Sequence, residues 1–188
     1  MANNGVHALD LCRWGLDVDF PVRTVSSGGR YWYDDDQQTP DVQSACFEFE
    51  GGKQATWSAL SCNKHAPGYF CAFYGDDGSL ELDAQGQYRI YDRNDKQIDA
   101  GEQANQGDRE HLQNFIDAVR ADDPSRLNQP ITEGHKSTLL CHLGNIAIRT
   151  GATVQTDSKT GRIVGDVPEQ LALWQRDYDP AWVEAVSM

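Results

Sequence analysis

His7 and Asp10 stand three residues apart in the segment Asn3-Asn4-Gly5-Val6-His7-Ala8-Leu9-Asp10-Leu11-Cys12-Arg13-Trp14, and both residue types suit acid–base chemistry. On a helix that spacing is one turn. The carboxylate could then fix the imidazole tautomer while the ring moves a proton near neutral pH. The same spacing fits a surface helix on which Asp10 pairs with Arg13 or His7 and does nothing more. His65 falls in the loop 62–68, and loops carry function disproportionately, although a solvated loop histidine is the commoner case. His135 and His142 lie seven residues apart on one expected helix, whereas a metal clamp wants i, i+4, so no metal ligand is expected. Asp34-Asp35-Asp36 reads as a solvated turn without the glycine and distal glutamate of a calcium loop. No GxSxG elbow is present to activate a serine.

The elements that must position these residues change period along the chain. The opening segment reads as a helix capped by Asn4. Val6, Leu9, Arg13 and Leu16 form one stripe, and His7, Asp10, Leu11 and Trp14 form another. Gly15 and Pro21 would end it. From about Val22 to Ile98 the period is two: Ala45, Phe47 and Phe49 alternate with polar neighbours, and Gly51-Gly52 turns the chain into a return strand with Ala55, Trp57 and Ala59 on one face. Further strands are expected at 69–74, 79–82, 87–91 and 96–98, paired as antiparallel hairpins. The period then returns to 3.6. Asp108 would cap a helix carrying Leu112, Phe115, Ile116 and Val119; Thr132 would cap one carrying Leu139, Leu140, Leu143, Ile146 and Ala147. A short helix from Pro168 to about Arg176 would bury Leu171 and Trp174. Strands in one block followed by helices in another indicate α+β: an open-faced, mostly antiparallel sheet with helices on one face, in a single domain over residues 1–188.

Length and charge narrow the function. At 188 residues, 39% hydrophobic and 10% aromatic, the composition is globular. A formal charge of -13 repels phosphate backbones, so nucleic acid is not expected as a partner. No stretch is apolar enough to span a membrane, and residues 1–5 show neither a basic n-region nor an apolar h-region. Cys12, Cys46, Cys62, Cys71 and Cys141 show no CxxC spacing and read as reduced thiols, which points to the cytoplasm. Gly28-Gly29 falls in a strand or bulge without the helix start that phosphate binding requires, and no GxGxxG follows a strand. An opening helix so close to Met1 reads as the interior of a longer chain.

Several stretches together resemble one family. The segment from Asn3 to Trp14 is similar to the helix that follows the cofactor domain in the glucose–fructose oxidoreductase / inositol dehydrogenase family. Phe47-Glu48-Phe49-Glu50-Gly51-Gly52-Lys53 resembles that family's sheet hairpin. Tyr74-Gly75 with Gly78-Ser79-Leu80 resembles its strand pair, and Gly134-His135-Lys136-Ser137 through Cys141-His142-Leu143-Gly144-Asn145-Ile146-Ala147 resembles one of its helices. The resemblance covers residues 3 to about 180 and implies the C-terminal, substrate-side domain of an NAD(P)-dependent oxidoreductase, without the dinucleotide-binding domain. It further implies a sugar or polyol as the small-molecule partner, a homo-oligomer formed through the sheet, and a separate dinucleotide-binding subunit as a possible partner. His7 would relay the hydroxyl proton, with Asp10 beside it and with Asn3, Asn4, His65 and His142 as candidate substrate contacts. The family's acidic position four residues before that histidine is Asn3 here, which can orient a hydroxyl but cannot take its proton. Cofactors carry hydride chemistry, so no cofactor is expected on this chain alone, nor hydride transfer by it. The alternative is a stand-alone, cofactor-independent hydrolase or lyase on a carbohydrate or lactone-like substrate, using His7 and Asp10 as an acid–base pair.

Overall fold

The computed structural model describes residues 1–63, 68–102, 107–175, 179 and 182; the side chains of residues 2–4 are outside that description. Helix α1 (Ala2–Leu16) leads into β1 (Arg23–Gly29), β2 (Val42–Glu48) and β3 (Gln54–Leu60). Then follow β4 (Cys71–Gly75), β5 (Gly78–Leu82), β6 (Gln87–Asp92) and β7 (Gln97–Glu102). Helices α2 (Asp108–Ala121) and α3 (Ile131–Thr150), the short strand β8 (Val154–Gln155) and helix α4 (Pro168–Ala172) complete the order. The expected α+β class with antiparallel strands and open sheets is what the chain adopts. The strands divide into two four-stranded sheets, ordered β3-β2-β1-β8 and β4-β5-β6-β7, and every named pair is antiparallel.

Period-2 alternation decides which face of the first sheet is covered. Gln43, Ala45 and Phe47 of β2 point inward with Ala55 and Trp57 of β3, onto α1 and α3. The first sequence stripe of α1 is the one buried: Leu9 is fully enclosed, and Val6, Cys12 and Leu16 pack on the same cluster with Phe47, Phe49 and Leu140. A second cluster joins Phe20, Leu139, Leu143, Ile146, Ala147 and Val154, with Trp174 against it. Helix α3 therefore carries both halves of the core, as its apolar spacing predicts.

Several local expectations are corrected. Helix α1 starts at Ala2 with Met1 as its N-cap, not Asn4, and ends through Asp17 in the left-handed region at φ 50°. Helix α2 is preceded by Gly107 and α3 by Pro130, so Asp108 and Thr132 are the first and second residues of their helices and not caps. Backbone geometry before each helix, a left-handed glycine and a proline with fixed φ, sets these starts more firmly than side-chain acceptors do. In α4 it is Gln170 that is buried, its amide donating to the Thr153 carbonyl at 3.0 Å, while Leu171 is exposed. The apolar stripe of α2 is present but open: Leu112, Phe115, Ile116 and Val119 are all exposed, and Ala118 is the helix's buried residue. The helix rests on the 3-10 turn Pro124–Arg126, where Asn114 Nδ2 donates to the Arg126 carbonyl at 2.7 Å.

Candidate functional site

The outer stripe of α1 is where the candidate chemistry sits. His7 and Trp14 are both exposed, Trp14 at 78%, because the opposite stripe is committed to the core. Helix α3 runs antiparallel beside α1: Met1 lies near Gly144, and Arg13 reaches Ser137 and Glu133. His142 lies on the exposed side of α3. His7 and His142 thus occupy the outward faces of two neighbouring helices, away from the sheet. His135 is also exposed, and its ring meets Phe20 edge-on with centroids 6.4 Å apart. Asn3 and Asn4 fall in the first turn of α1, but their side chains are outside the description, and His65 lies outside the described residues altogether.

Asp10 is drawn toward α3 instead of His7. Its carboxylate accepts a hydrogen bond from Ser137 Oγ and lies 4.0 Å from the Arg13 guanidinium. Among the described residues no hydrogen bond joins it to His7. Arg13, 6% exposed, is the centre of the arrangement, although its sequence position suggested only a surface pairing with Asp10. It donates to Ser137 Oγ at 3.0 Å, to the Val18 carbonyl at 3.3 Å, to Asp19 at 3.4 Å and to Glu133. Lys136 closes the cluster, 2.7 Å from Asp19 and 2.9 Å from Glu133. The hydrogen bond from Lys136, then that from Arg13, holds the Glu133 carboxyl below its ordinary range. Bonds to Asp19 and then Glu133 hold the Lys136 ammonium above its own. Buried charge is tolerated only when paired, so a charged residue on an otherwise apolar stripe was the available signal. The cluster fixes the seat of α1, and with it the position of His7.

A second feature is the outer face of the first sheet. Val25, Cys46 and Thr56 form one row across β1, β2 and β3, and Ser27, Ser44 and Ser58 form the next. A shallow depression of about 340 Å³ opens over them. These two rows are small and uncharged, and α1 and α3 lie on the opposite face. At one end Tyr31, Trp32 and Tyr33 stand exposed on the loop after β1. Asp41, itself buried, accepts from the backbone N–H groups of Tyr31, Trp32 and Tyr33 at 2.9–3.1 Å. Burial alone would raise the Asp41 carboxyl, but these three N–H donors and the Arg30 charge bring it below the ordinary carboxylate range. The sequence reading missed this anchor because its partners are backbone groups, which leave no pattern in residue types.

Among the described residues, neither Gly28 nor Gly107 forms a glycine loop of the kind that seats a pyrophosphate. A pyrophosphate needs a glycine loop opening into a helix N-terminus. Gly28 lies inside β1, where a Cβ would fall 2.1 Å from the Val42 carbonyl oxygen, so its role is close strand approach. Gly107 precedes α2, but the first turn there carries Asp108 and Glu110, which would repel phosphate. Among the described residues no group of three or more His, Cys, Asp or Glu side chains could hold a metal ion, and no helix is long and apolar enough to cross a membrane.

No protein-family model matches the chain, and no curated protein matches it. Solved structures do. An oxidoreductase from Agrobacterium radiobacter, determined with NAD+, L-tartaric acid and magnesium, superposes with a TM-score of 0.60 at 16% identity, over 80% of this chain and 47% of its own. UDP-N-acetylglucosamine 3-dehydrogenase from Acidithiobacillus ferrooxidans gives 0.58 at 17% identity, over 78% of this chain and 46% of its own. The WlbA dehydrogenase from Bordetella pertussis, solved with NADH and UDP-GlcNAcA, gives 0.53 at 13% identity, over 82% and 44%. These neighbours are oxidoreductases of the glucose–fructose oxidoreductase / inositol dehydrogenase type, in agreement with the resemblance read from the sequence motifs. At such identities the likeness establishes a shared fold. The chain spans about half the length of the structures it matches.

Proposed function

We propose that this chain is the substrate-side and oligomerisation domain of an oxidoreductase acting on a sugar or polyol, with the dinucleotide-binding half lying outside these residues. The observation that supports it most is the fold likeness to about half of each of several oxidoreductases, two of them solved with NAD+ or NADH. Two of those neighbours carry nucleotide-sugar names or ligands, which favours a hydroxyl-bearing carbohydrate over other substrates. The cofactor, held by that other half, would accept the hydride. His7, exposed on a helix seated by the Arg13 cluster, takes the proton of the same hydroxyl at a ring nitrogen. Asp10 acts here through Ser137 and Arg13, holding the helix. Asn3, Asn4, His65 and His142 remain the proposed substrate contacts.

The outer face of the first sheet is proposed as the surface that pairs copies of the chain. Its two central rows are small and uncharged, the Arg23–Glu48 ion pair flanks them, and the aromatic loop adds amphipathic contact area. No observation favours the hydrolase or lyase alternative, in which His7 and Asp10 would work as an acid–base pair; Asp10 accepts from Ser137.

Calorimetry and saturation-transfer NMR of the full chain with myo-inositol, glucose, UDP-N-acetylglucosamine and NADH test the proposal. Saturable binding of a hydroxylated ligand with no binding of NADH is expected. Micromolar NADH affinity, or no interaction with any of the three carbohydrates, would contradict it.

A further inference from the structure

Two thiols away from the His7 face stand close enough to react with each other. Cys12 lies on α1 and Cys71 opens β4, 59 residues later, and their Sγ atoms are 3.6 Å apart. A second contact keeps them in register. One turn beyond Cys12, Gly15 lies against the ring of Phe73, two residues beyond Cys71, so closely that a Cβ on Gly15 would come within 2.4 Å of ring carbons. Residues i and i+3 share a helix face, and residues i and i+2 share a strand face, so both contacts belong to one seam between α1 and the second sheet.

The two sulfurs are not equivalent. Cys71 is 4% exposed, whereas Cys12 is half-buried, so a small oxidant meets Cys12 first. The hydrogen bond from Cys71 holds the Cys12 thiol below its ordinary pKa against the opposing effect of burial. Cys71 is pushed well above its own, by that same bond first and by burial second. The thiolate is the reactive form, which makes Cys12 the nucleophile and Cys71 the resolving thiol. Cys141, buried in the core, has its thiol pushed up to about 11 by burial, and the Cys46 thiol is raised by burial and by Glu48.

We propose that Cys12 and Cys71 form an oxidisable pair, a modification site at which hydrogen peroxide or an alkyl hydroperoxide converts two thiols into a disulfide joining α1 to β4. In the first step the Cys12 sulfur attacks the peroxide oxygen. The O–O bond breaks, Cys12 becomes a sulfenic acid, and one water (or alcohol) leaves with the thiol proton. In the second, the Cys71 sulfur attacks the Cys12 sulfur, the S–O bond breaks, and a second water leaves. The two cysteines lose two electrons and two hydrogens between them, and the peroxide is reduced by the same two electrons. A disulfide bond length near 2.05 Å requires the sulfurs to close by about 1.5 Å, within the reach of side-chain rotation and a small helix shift. The cross-link closes a loop containing β1, β2 and β3 and locks the helix that bears His7 onto the second sheet.

The experiment treats the full reduced chain with a slight excess of hydrogen peroxide and maps its peptides by non-reducing mass spectrometry, with thermal melts before and after dithiothreitol. A Cys12–Cys71 cross-linked peptide lacking two hydrogens is expected, with a rise in Tm of about 10 °C that dithiothreitol reverses. Cys12→Ser and Cys71→Ala should each abolish both changes. Should either variant fold poorly, the wild-type peptide map decides alone. Recovery of Cys12 and Cys71 as separate thiols or sulfonic acids, or a cross-link through Cys46, Cys62 or Cys141 instead, would overturn the proposal.

Discussion

Replacing Arg13 with methionine removes the guanidinium while keeping most of the stem that packs against α3. Arg13 side-chain exposure is 7%, so its bonds to Ser137, Val18, Asp19 and Glu133 are made largely out of water. Breaking a buried pair costs about 3–5 kcal/mol when the partner is left as an uncompensated buried charge. That condition does not hold here. Glu133 and Asp19 keep Lys136, Asp10 keeps Ser137, and the side chains of Asp10 and Asp19 are 41% and 57% exposed. The loss is then that of several charge-assisted bonds with solvated survivors, about 2–3 kcal/mol. For a chain of this size that lowers Tm by about 4–12 °C. Urea unfolding of Arg13→Met, Ser137→Ala and the double variant measures it. The double variant should lose less than the sum of the singles, because both single changes cut the same α1–α3 bond. A loss below about 0.5 kcal/mol in Arg13→Met would place the cluster among ordinary solvent-screened surface pairs and refute the argument that it seats α1.

Two further outcomes follow from local geometry. Gly15→Ala should destabilise by about 1–3 kcal/mol in denaturant melts through the clash with the Phe73 ring, although alanine is the better helix former by about 1 kcal/mol; a gain in stability would mean that the α1–β4 seam is loose. The Glu133–Lys136 pair contributes to both ends of the pH–stability profile. Glu133, with its folded pKa lowered, stabilises fully above the unfolded value near pH 4.5 and loses this as pH falls through the folded value. Lys136, with its folded pKa raised, stabilises fully below its unfolded value near pH 10.5 and loses this as pH rises through the folded one. Thermal scans should show Glu133→Gln flattening the acid limb and Lys136→Met the alkaline one. Unchanged limbs would mean that the pair is fully screened.

Much of this fold was legible in the sequence because periodicity reports burial directly. The division of α1 into two stripes and the row Ala45–Phe47 follow from spacing alone, and the structure buries the stripe through Leu9. The division into two sheets was not legible, since the β1–β8 pairing of Arg23 with Gln155 and Thr24 with Val154 joins residues far apart in the chain. Of the partners of Asp10, Arg13 was legible within one turn, whereas Ser137, 127 positions away, was not. The stripe on α2 shows the converse case, in which residue types encode an apolar face that no element among the described residues covers.

The central proposal is that the open stripe of α1 forms the wall against which a hydroxylated substrate sits, with His7 at the reacting hydroxyl. The most direct test is a titration of the full chain with myo-inositol and with UDP-N-acetylglucosamine, following the histidine ring resonances by NMR and assigning His7 through the His7→Ala spectrum. Saturable displacement of the His7 signals by at least one of these ligands is expected, with His111 unmoved and the Tm of His7→Ala close to that of the wild type. Histidine signals that drift together without saturation would contradict it, as would ligand binding unchanged in His7→Ala.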